Sequence, residues 1–448
     1  MSDPGGNSGL ACFAPCPRGL EDALVEELAE LAIEGARVTA GGVHFTGTWS
    51  DAYRVNLHSR LASRVLVRIA QGRYRSEDDI YRLAIAQDWM AWFSVEQTLR
   101  VDVTAGSGKA KSGLKSLEFV TLRIKDAICD RFRDSIGKRP SVATREPDVR
   151  VFAYLDASSC TIYLDTSGEP LFKRGWRVEA GEAPLRENLA AGILRLAGWK
   201  PGIALLDPMC GSGSFVVEAA QTTFGIAPGA QRSFGFERLK NFDAAAWTRL
   251  RESPTAHASG SDPASDETAR ASAVLLRASD VSGEAVALTR ANLERAGIAP
   301  EIALTIAGKQ IDARQVKPHA EAGIVVTNPP YGERIAIRGE RSFRSHENDS
   351  ADSDKNADDR ALDDFFVEFG NALKQRFAGW TCHILTSDMN LQKKLRLAPD
   401  RRVPLFNGAI ECRLYRFALV TGQHGRHAER APSGPAANTA SSATSSGE

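Results

Sequence analysis

Two short stretches carry residue types that can do chemistry together. The first, Leu205-Leu-Asp-Pro-Met-Cys-Gly-Ser-Gly-Ser-Phe-Val-Val-Glu218, is an apolar run that stops at Asp207-Pro208 and continues through two glycines into a helical pattern. The second, Ile324-Val-Val-Thr-Asn-Pro-Pro-Tyr-Gly332, is an apolar run that stops at a side-chain amide, two prolines and an aromatic ring. Apolar runs ending in turn-prone clusters mark buried parallel strands at the carboxyl edge of an α/β sheet, where ligands bind. Gly211 and Gly213 let the backbone approach a ligand closely. A dinucleotide-binding turn requires a third glycine three residues after Gly213, where this chain has Val216, so a ligand without pyrophosphate is expected.

S-adenosylmethionine is such a ligand. Its ribose hydroxyls call for an acid at the end of the next strand. Asp280 follows the apolar stretch from Ala273 and precedes a helical pattern; Glu237 is the rival, but a polar loop follows it. A further strand expected at 302–306 is followed by Asp312, placed to accept from an adenine amino group. The cofactor set is therefore Asp207, Pro208, Cys210, Gly211, Gly213, Asp280, Asp312 and Asn328. Asn328 and Pro329 offer a side-chain and a main-chain carbonyl oxygen. Two such acceptors can hold the two N–H bonds of an amino group on a base, in line with a sulfonium methyl. The prolines add no competing N–H, and Tyr331 can stack on the base. This chemistry needs no metal. Taken singly, the glycine pair could be an ordinary tight turn and Asn-Pro-Pro-Tyr an ordinary proline turn; their order along one βαβ array favours the site.

These residues need a sheet to hold them. From about residue 184, helices expected at 185–197, 214–224, 282–296 and 361–377 alternate with strands expected at 203–207, 273–279, 302–306, 323–327, 381–386 and 412–420, the pattern of a doubly wound parallel sheet. Upstream the chain reads as α+β. Residues 10–50 read strand, helix, strand, with Leu20, Leu24, Leu28 and Leu31 on one helical stripe. Residues 60–165 carry alternating strands at 65–69 and 99–103, a helix over 116–136 and a hairpin over 150–165. Residues 251–270 and 338–360 are polar, without periodicity, and read as exposed insertions; the tail from 425 to Glu448 reads as disordered. No internal repeat is evident.

The composition is ordinary for a globular chain of 448 residues: 43% hydrophobic, 25% charged, with 56 Lys and Arg against 56 Asp and Glu. Seven scattered cysteines do not form a disulfide framework, and Cys12 and Cys16 lack the second pair that a zinc site needs. No apolar run approaches the ~20 residues of a membrane span, and the amino terminus lacks signal-peptide character; a cytoplasmic protein is expected. Between 100 and 150, twelve basic residues face seven acidic ones. Lys109, Lys111 and Lys115 lie in a Gly/Ser-rich loop suited to following phosphates, although a basic helix is often only a solvated face. His44 and His58 are expected to be structural.

The chain resembles the bacterial 23S ribosomal RNA guanine-N2 methyltransferases of the RlmL family, over the amino-terminal module of those enzymes. The resemblance rests on Phe13-Ala-Pro-Cys-Pro-Arg-Gly-Leu-Glu, Gly41-Gly-Val-His-Phe, Ser59-Arg-Leu-Ala-Ser-Arg, Lys125-Asp-Ala-Ile, Arg174-Gly-Trp-Arg, Glu182-Ala-Pro-Leu-Arg-Glu-Asn-Leu-Ala-Ala, Asp207-Pro-Met-Cys-Gly-Ser-Gly and Asn328-Pro-Pro-Tyr-Gly-Glu-Arg. It implies a ferredoxin-like lobe (10–58), a THUMP RNA-binding domain (59–168) and a Rossmann-like class I methyltransferase domain (184–424). It also implies S-adenosylmethionine as cofactor, N2-methylguanosine in 23S RNA as product, and RNA contacts at the basic loop, Arg174 and Arg177. Ser214 stands where the family often has Thr, and the 338–360 insertion follows the catalytic loop directly. The second methyltransferase module of some relatives does not follow, so a second activity is not expected. The rivals are a transfer RNA guanine-N2 enzyme, adenine-N6 or protein-glutamine enzymes sharing Asn-Pro-Pro-Tyr, and a non-catalytic RNA-binding assembly factor.

Overall fold

The computed structural model describes residues 9–106, 114, 116–177, 185–253, 271–329 and 351–420, with 351–361 described by backbone alone. Two sheets organise them. The amino-terminal sheet has seven strands: β1 (Leu10–Pro15), β2 (Arg37–Thr39), β3 (Gly42–Gly47), β4 (Leu66–Arg73), β5 (Leu99–Ala105), β6 (Val149–Leu155) and β7 (Ser159–Asp165). Their order is β2-β3-β1-β4-β7-β6-β5, so the antiparallel pairing of β1 with β4 fuses the strand–helix–strand unit and the following α+β unit into one sheet. One face alternates Cys12, Ala14, Val43, Phe45, Val67, Val101, Val151 and Leu164, all buried, beneath helices that include Glu21–Glu30, Trp49–His58 and Leu117–Ile136. The last of these starts where the Ser116 hydroxyl accepts from the Phe119 amide and stops at Gly137, whose φ of 72° only glycine adopts cheaply. Val120, Ile124, Ile128 and Phe132 supply its buried stripe, as their four-residue spacing requires.

The second sheet contains β8 (Leu205–Asp207), β9 (Leu276–Ala278), β10 (Ile324–Thr327), β11 (Thr381–Thr386), β12 (Arg401–Asn407) and β13 (Ile410–Ala418), in the order β12-β13-β11-β10-β8-β9. β9, β8, β10 and β11 are parallel; β13 and β12 close the edge antiparallel. Helices Glu187–Leu196, Ser214–Thr223 and Gly283–Arg295 contribute to one core, and Ala351–Arg376 packs Phe366, Phe369 and Leu373 into a second beneath β10 and β11.

Three expectations are corrected. Residues 302–306 are not a strand but lie in the helix Pro300–Ala307, with Pro300 at its start and Ala303, Ile306 and Ala307 buried at helical spacing. The short apolar run fitted either period. β12 was not expected, because Pro404 and two arginines disguise it; it is an edge strand, where a sheet tolerates proline. Third, the polar stretch expected to be irregular up to 360 is helical from Ala351. Most of the 251–270 stretch (254–270), residues 338–350 and the tail beyond 425 lie outside the described residues.

Candidate functional site

β8 sits between β9 and β10, with Leu205 opposite Leu276 on one side and Ile324 on the other. Neighbouring strands lie ~4.8 Å apart. The chain segments leaving these three strands, 208–213, 279–282 and 328–329, therefore meet at one carboxyl edge. The glycine turn is built by Gly211 and Gly213, with φ of 53° and 81°. A Cβ on Gly213 would lie 2.7 Å from the Thr289 methyl, so this glycine is needed for close helix packing; a Cβ on Gly211 would meet nothing within 4 Å and would project into open space. The Asp280 carboxylate accepts from the Gly211 amide at 3.0 Å and from the Ser282 amide at 2.9 Å. Thr289 donates to the Gly211 carbonyl at 2.9 Å, and Asn292 to the Ser212 carbonyl at 2.8 Å. The turn is thus fixed by β9's end and the helix after it.

Asp207 is buried and its Oδ1 accepts from the Met209 amide at 3.3 Å. Burial, with the nearby Asp280 charge adding, pushes its carboxyl up to about 8. Cys210 packs its thiol inward, raised by burial, while its amide donates to the Ser279 carbonyl at 3.0 Å; its contribution at the site is backbone. Asp312 reaches the same edge although the strand expected before it is a helix: residue 310 bridges to Asp280, and the Ile311 amide donates to the Asp280 carbonyl. Its carboxylate is engaged by Arg314, at 2.6 Å at the shortest, which holds it below the usual range, so an adenine amino group would share those oxygens. The rival Glu237 instead accepts from the Phe234 amide in a turn packed against Gly168, on the amino-terminal sheet's side of the molecule.

At the end of β10, Pro329 is buried and Asn328 half-buried. The Asn328 Oδ1 is itself buried and has no hydrogen-bond partner among the described residues; the Ser279 hydroxyl, at the end of β9, is in the same condition. Unpaired buried acceptors are costly and mark places where a ligand completes the bonding. Tyr331, Lys109, Lys111 and Lys115 lie outside the described residues.

The two arginines expected to meet RNA do something else. Arg174 is 2% exposed; its Nε donates to Glu218 at 3.1 Å and its other nitrogens to the carbonyls of Leu171 and Arg60. Arg60 also bonds Glu218, at 3.1 Å, so the helix Ser214–Thr223 is tied to the amino-terminal lobe through one buried carboxylate. Arg177 donates to Glu187 at 2.7 Å and to the hydroxyls of Ser212 and Ser214 at 2.8 and 2.7 Å. Burial of Arg174 corrects the expectation of RNA contact there; Arg177 is half-buried, with these bonds engaging its guanidinium. Sequence reasoning also missed Ser212, in the turn itself, and Thr289 and Asn292, because single polar residues on a helix face give no periodic signal.

Three family models cover most of this framework: the RlmL ferredoxin-like domain over 11–66, the THUMP domain over 74–165 and the RMKL-like methyltransferase domain over 174–342. Among curated proteins, the chain is 36% identical over 412 residues to the Ribosomal RNA large subunit methyltransferase K/L of Shewanella baltica OS155 and 38% identical over 413 residues to that of Psychromonas ingrahamii. In all three of these domains the chain resembles the RlmL family. These alignments cover 92% of this chain and 53% and 50% of the two relatives, so it spans about half their length. Among solved structures, SMU.472, described as a methyltransferase complexed with SAH, superposes with a TM-score of 0.74 at 27% identity, over 94% of this chain and all of that one. TrmN from Thermus thermophilus shares the fold, with a TM-score of 0.61 at 21% identity over 92% of this chain and all of that one. Within this methyltransferase domain, the site residues fit S-adenosylmethionine: open space over Gly211, the Asp280 carboxylate at the same turn, and the Asn328 and Ser279 side-chain oxygens, buried and without partners among the described residues. Among the described residues no helix is long and apolar enough to cross a membrane, and no cluster of His, Cys, Asp and Glu could hold a metal.

Proposed function

We propose that this chain is an S-adenosylmethionine-dependent methyltransferase that forms N2-methylguanosine in 23S ribosomal RNA, acting in the cytoplasm. The observation that carries the reading is the buried Asn328 Oδ1, without a partner among the described residues, beside the strand that ends in Asp207 and the glycine turn. Bound cofactor supplies an electrophilic methyl group on a sulfonium sulfur. Gly211, Asp280 and the backbone of 207–213 would hold it, with Asp312 beside its adenine.

Asn328 then has a defined task. Its Oδ1 accepts one N–H of the exocyclic amine, and the Pro329 carbonyl accepts the second. Both bonds favour the positive charge that develops at nitrogen during transfer and hold the lone pair in line. The amine loses its proton afterwards, to solvent. The target guanine must leave its stack to reach this edge, and Tyr331 is positioned in sequence to stack on it. The THUMP domain and the Lys109, Lys111 and Lys115 loop serve RNA binding. The kinship to enzymes named for large-subunit ribosomal RNA favours that substrate over transfer RNA.

The test is incubation of the purified chain with S-adenosylmethionine and either unmodified 23S RNA or transfer RNA, followed by nucleoside mass spectrometry. N2-methylguanosine confined to 23S RNA is the expected result; methylation of adenine, or of transfer RNA alone, would replace this reading with one of its rivals.

A further inference from the structure

The outward face of the amino-terminal sheet has a composition unlike an ordinary solvated surface. Strand register fixes which residues share it. Arg37 pairs with His44, His44 with Phe13, and Phe13 with Leu66, across β2, β3, β1 and β4. One step along, Arg68 pairs with Tyr163, Tyr163 with Phe152 and Phe152 with Asp102, across β4, β7, β6 and β5. Arg100 and Arg150 pair at the next position, and Tyr154 with Thr161 on the other side. In-line alternation places all of these opposite the buried face carrying Cys12, Val67, Val151 and Leu164.

Arg37, His44, Arg68 and Tyr154 are exposed and Phe13 and Phe152 half-buried, while Leu66, Tyr163 and Thr161 are buried among them. The rings associate: Phe13 lies 4.8 Å from His44 and 6.1 Å from Tyr163, and the Arg64 guanidinium lies 5.1 Å from the Phe152 ring. Arg68 bonds the amide oxygen of Gln71 at 3.1 Å rather than a carboxylate. The strands of this face carry two acids: Asp102, which accepts from Arg100 at 2.7 Å and lies 3.8 Å from Arg150, and Asp165, which is buried against Arg64; Glu169, 3.9 Å from Arg150, and Glu118 stand at its β5 side. At the β5 edge a cleft of about 480 Å³ opens between Arg100, Arg150, Phe152 and the start of the helix Leu117–Ile136. Arginines interleaved with aromatic rings, with few acids, complement a polyanion that carries flat bases.

We infer that this face, continuous across the ferredoxin-like and THUMP domains, is a stacking platform for unpaired nucleotides of the substrate RNA. Seven strands give it a width of about 30 Å, enough for several nucleotides. Bases stack on His44, Phe13, Phe152 and Tyr154, and phosphates run along Arg37, Arg68 and the arginines at the β5 cleft. A fully paired RNA helix offers no free base faces and is not its ligand. The inference deepens the RNA-methyltransferase reading by naming where and in what state the RNA is held.

The experiment uses the full chain, a fluorescein-labelled single-stranded oligoribonucleotide and a blunt duplex of the same length, with anisotropy read over a salt series. Cofactor binding is followed separately by calorimetry, so loss of the methyltransferase assignment and loss of the platform are told apart. Phe152→Leu and Tyr154→Ala should each weaken single-strand binding by about 5- to 30-fold with cofactor affinity unchanged. Arg68→Ala should lower the salt slope by about one. Arg133→Ala, on the exposed side of the helix Leu117–Ile136, should leave binding unchanged. Ultraviolet crosslinks should map to β1, β3 and β6. Tight single-strand binding that survives both aromatic variants, preference for the duplex, or crosslinks and affinity loss confined to the helix side would overturn the inference.

Discussion

Arg177 holds the cofactor turn from outside it, and removing it should separate stability from binding. In the folded chain Arg177 bonds Glu187, Ser212 and Ser214 in a site where the side chains of the pair are 11% and 6% exposed. Arg177→Met leaves the Glu187 carboxylate buried without its partner, which costs about 3–5 kcal/mol, a large part of the ~5–15 kcal/mol that stabilises a typical protein. Burial already raises the Glu187 carboxyl above its ordinary value, opposed chiefly by Arg177. Without Arg177 it rises further. A raised folded value means that the native state holds the proton more tightly than the unfolded chain, so stability is lost as pH rises through that value. The penalty should therefore be small near pH 4 and full at pH 8. Adding Glu187→Gln removes the charge and should recover most of the loss, leaving roughly 1 kcal/mol for the missing hydrogen bonds. Cofactor affinity should not recover. The turn loses its two anchors at the Ser212 and Ser214 hydroxyls, and ordering even one residue costs ~1–2 kcal/mol, about tenfold in binding. Urea denaturation at pH 4 and 8 and calorimetric titration with S-adenosylmethionine read the two effects. A single variant costing under ~1 kcal/mol at pH 8, or a double variant no more stable than the single, would refute the reasoning.

The two turn glycines should fail differently. Gly213→Ala meets Thr289 at 2.7 Å with φ at 81° and should destabilise by about 2–4 kcal/mol in thermal melts. Gly211→Ala finds open space, so its stability cost stays at ~1–2 kcal/mol of left-handed strain while cofactor affinity falls at least tenfold in calorimetry. Asp207 gives a pH signature. Its carboxyl, pushed up to about 8 by burial, ordinarily titrates near ~3.9, so wild-type stability should fall as pH rises from about 4 to 8. Asp207→Asn, which keeps the acceptor facing Met209, should flatten that fall by a few kcal/mol in urea midpoints taken across the range; an unchanged slope would show that the carboxyl titrates normally.

Much of this was readable in the chain itself. The apolar strands that end at Asp207 and Thr327 announced themselves because buried parallel strands are continuous apolar runs bounded by turn residues, and the structure places both where their spacing requires. Asp280 was separable from Glu237 because a helical pattern comes after Asp280 and a polar loop after Glu237; in the structure it is Asp280 that meets the Gly211 amide, at 3.0 Å. The failures have physical reasons as well. Residues 302–306 fit strand and helix equally, and burial of Ala303 and Ile306 at helical spacing decided it. Arg174 and Arg177 read as RNA contacts where the lobes join because a sequence does not show that Glu218, 44 residues beyond Arg174, and Glu187, ten beyond Arg177, turn inward to meet them. The fusion of two amino-terminal units into one sheet depends on the pairing of β1 with β4, a non-local contact without a local signal.

The most direct test of the central claim sets Asn328→Ala beside the parent chain in two measurements, S-adenosylmethionine affinity and methyl transfer to 23S RNA. Loss of one transition-state acceptor predicts a rate lowered by about 10²–10³-fold with cofactor affinity changed less than about threefold. Transfer at the parent rate would contradict the assignment of the Asn328 oxygen to the reacting amine.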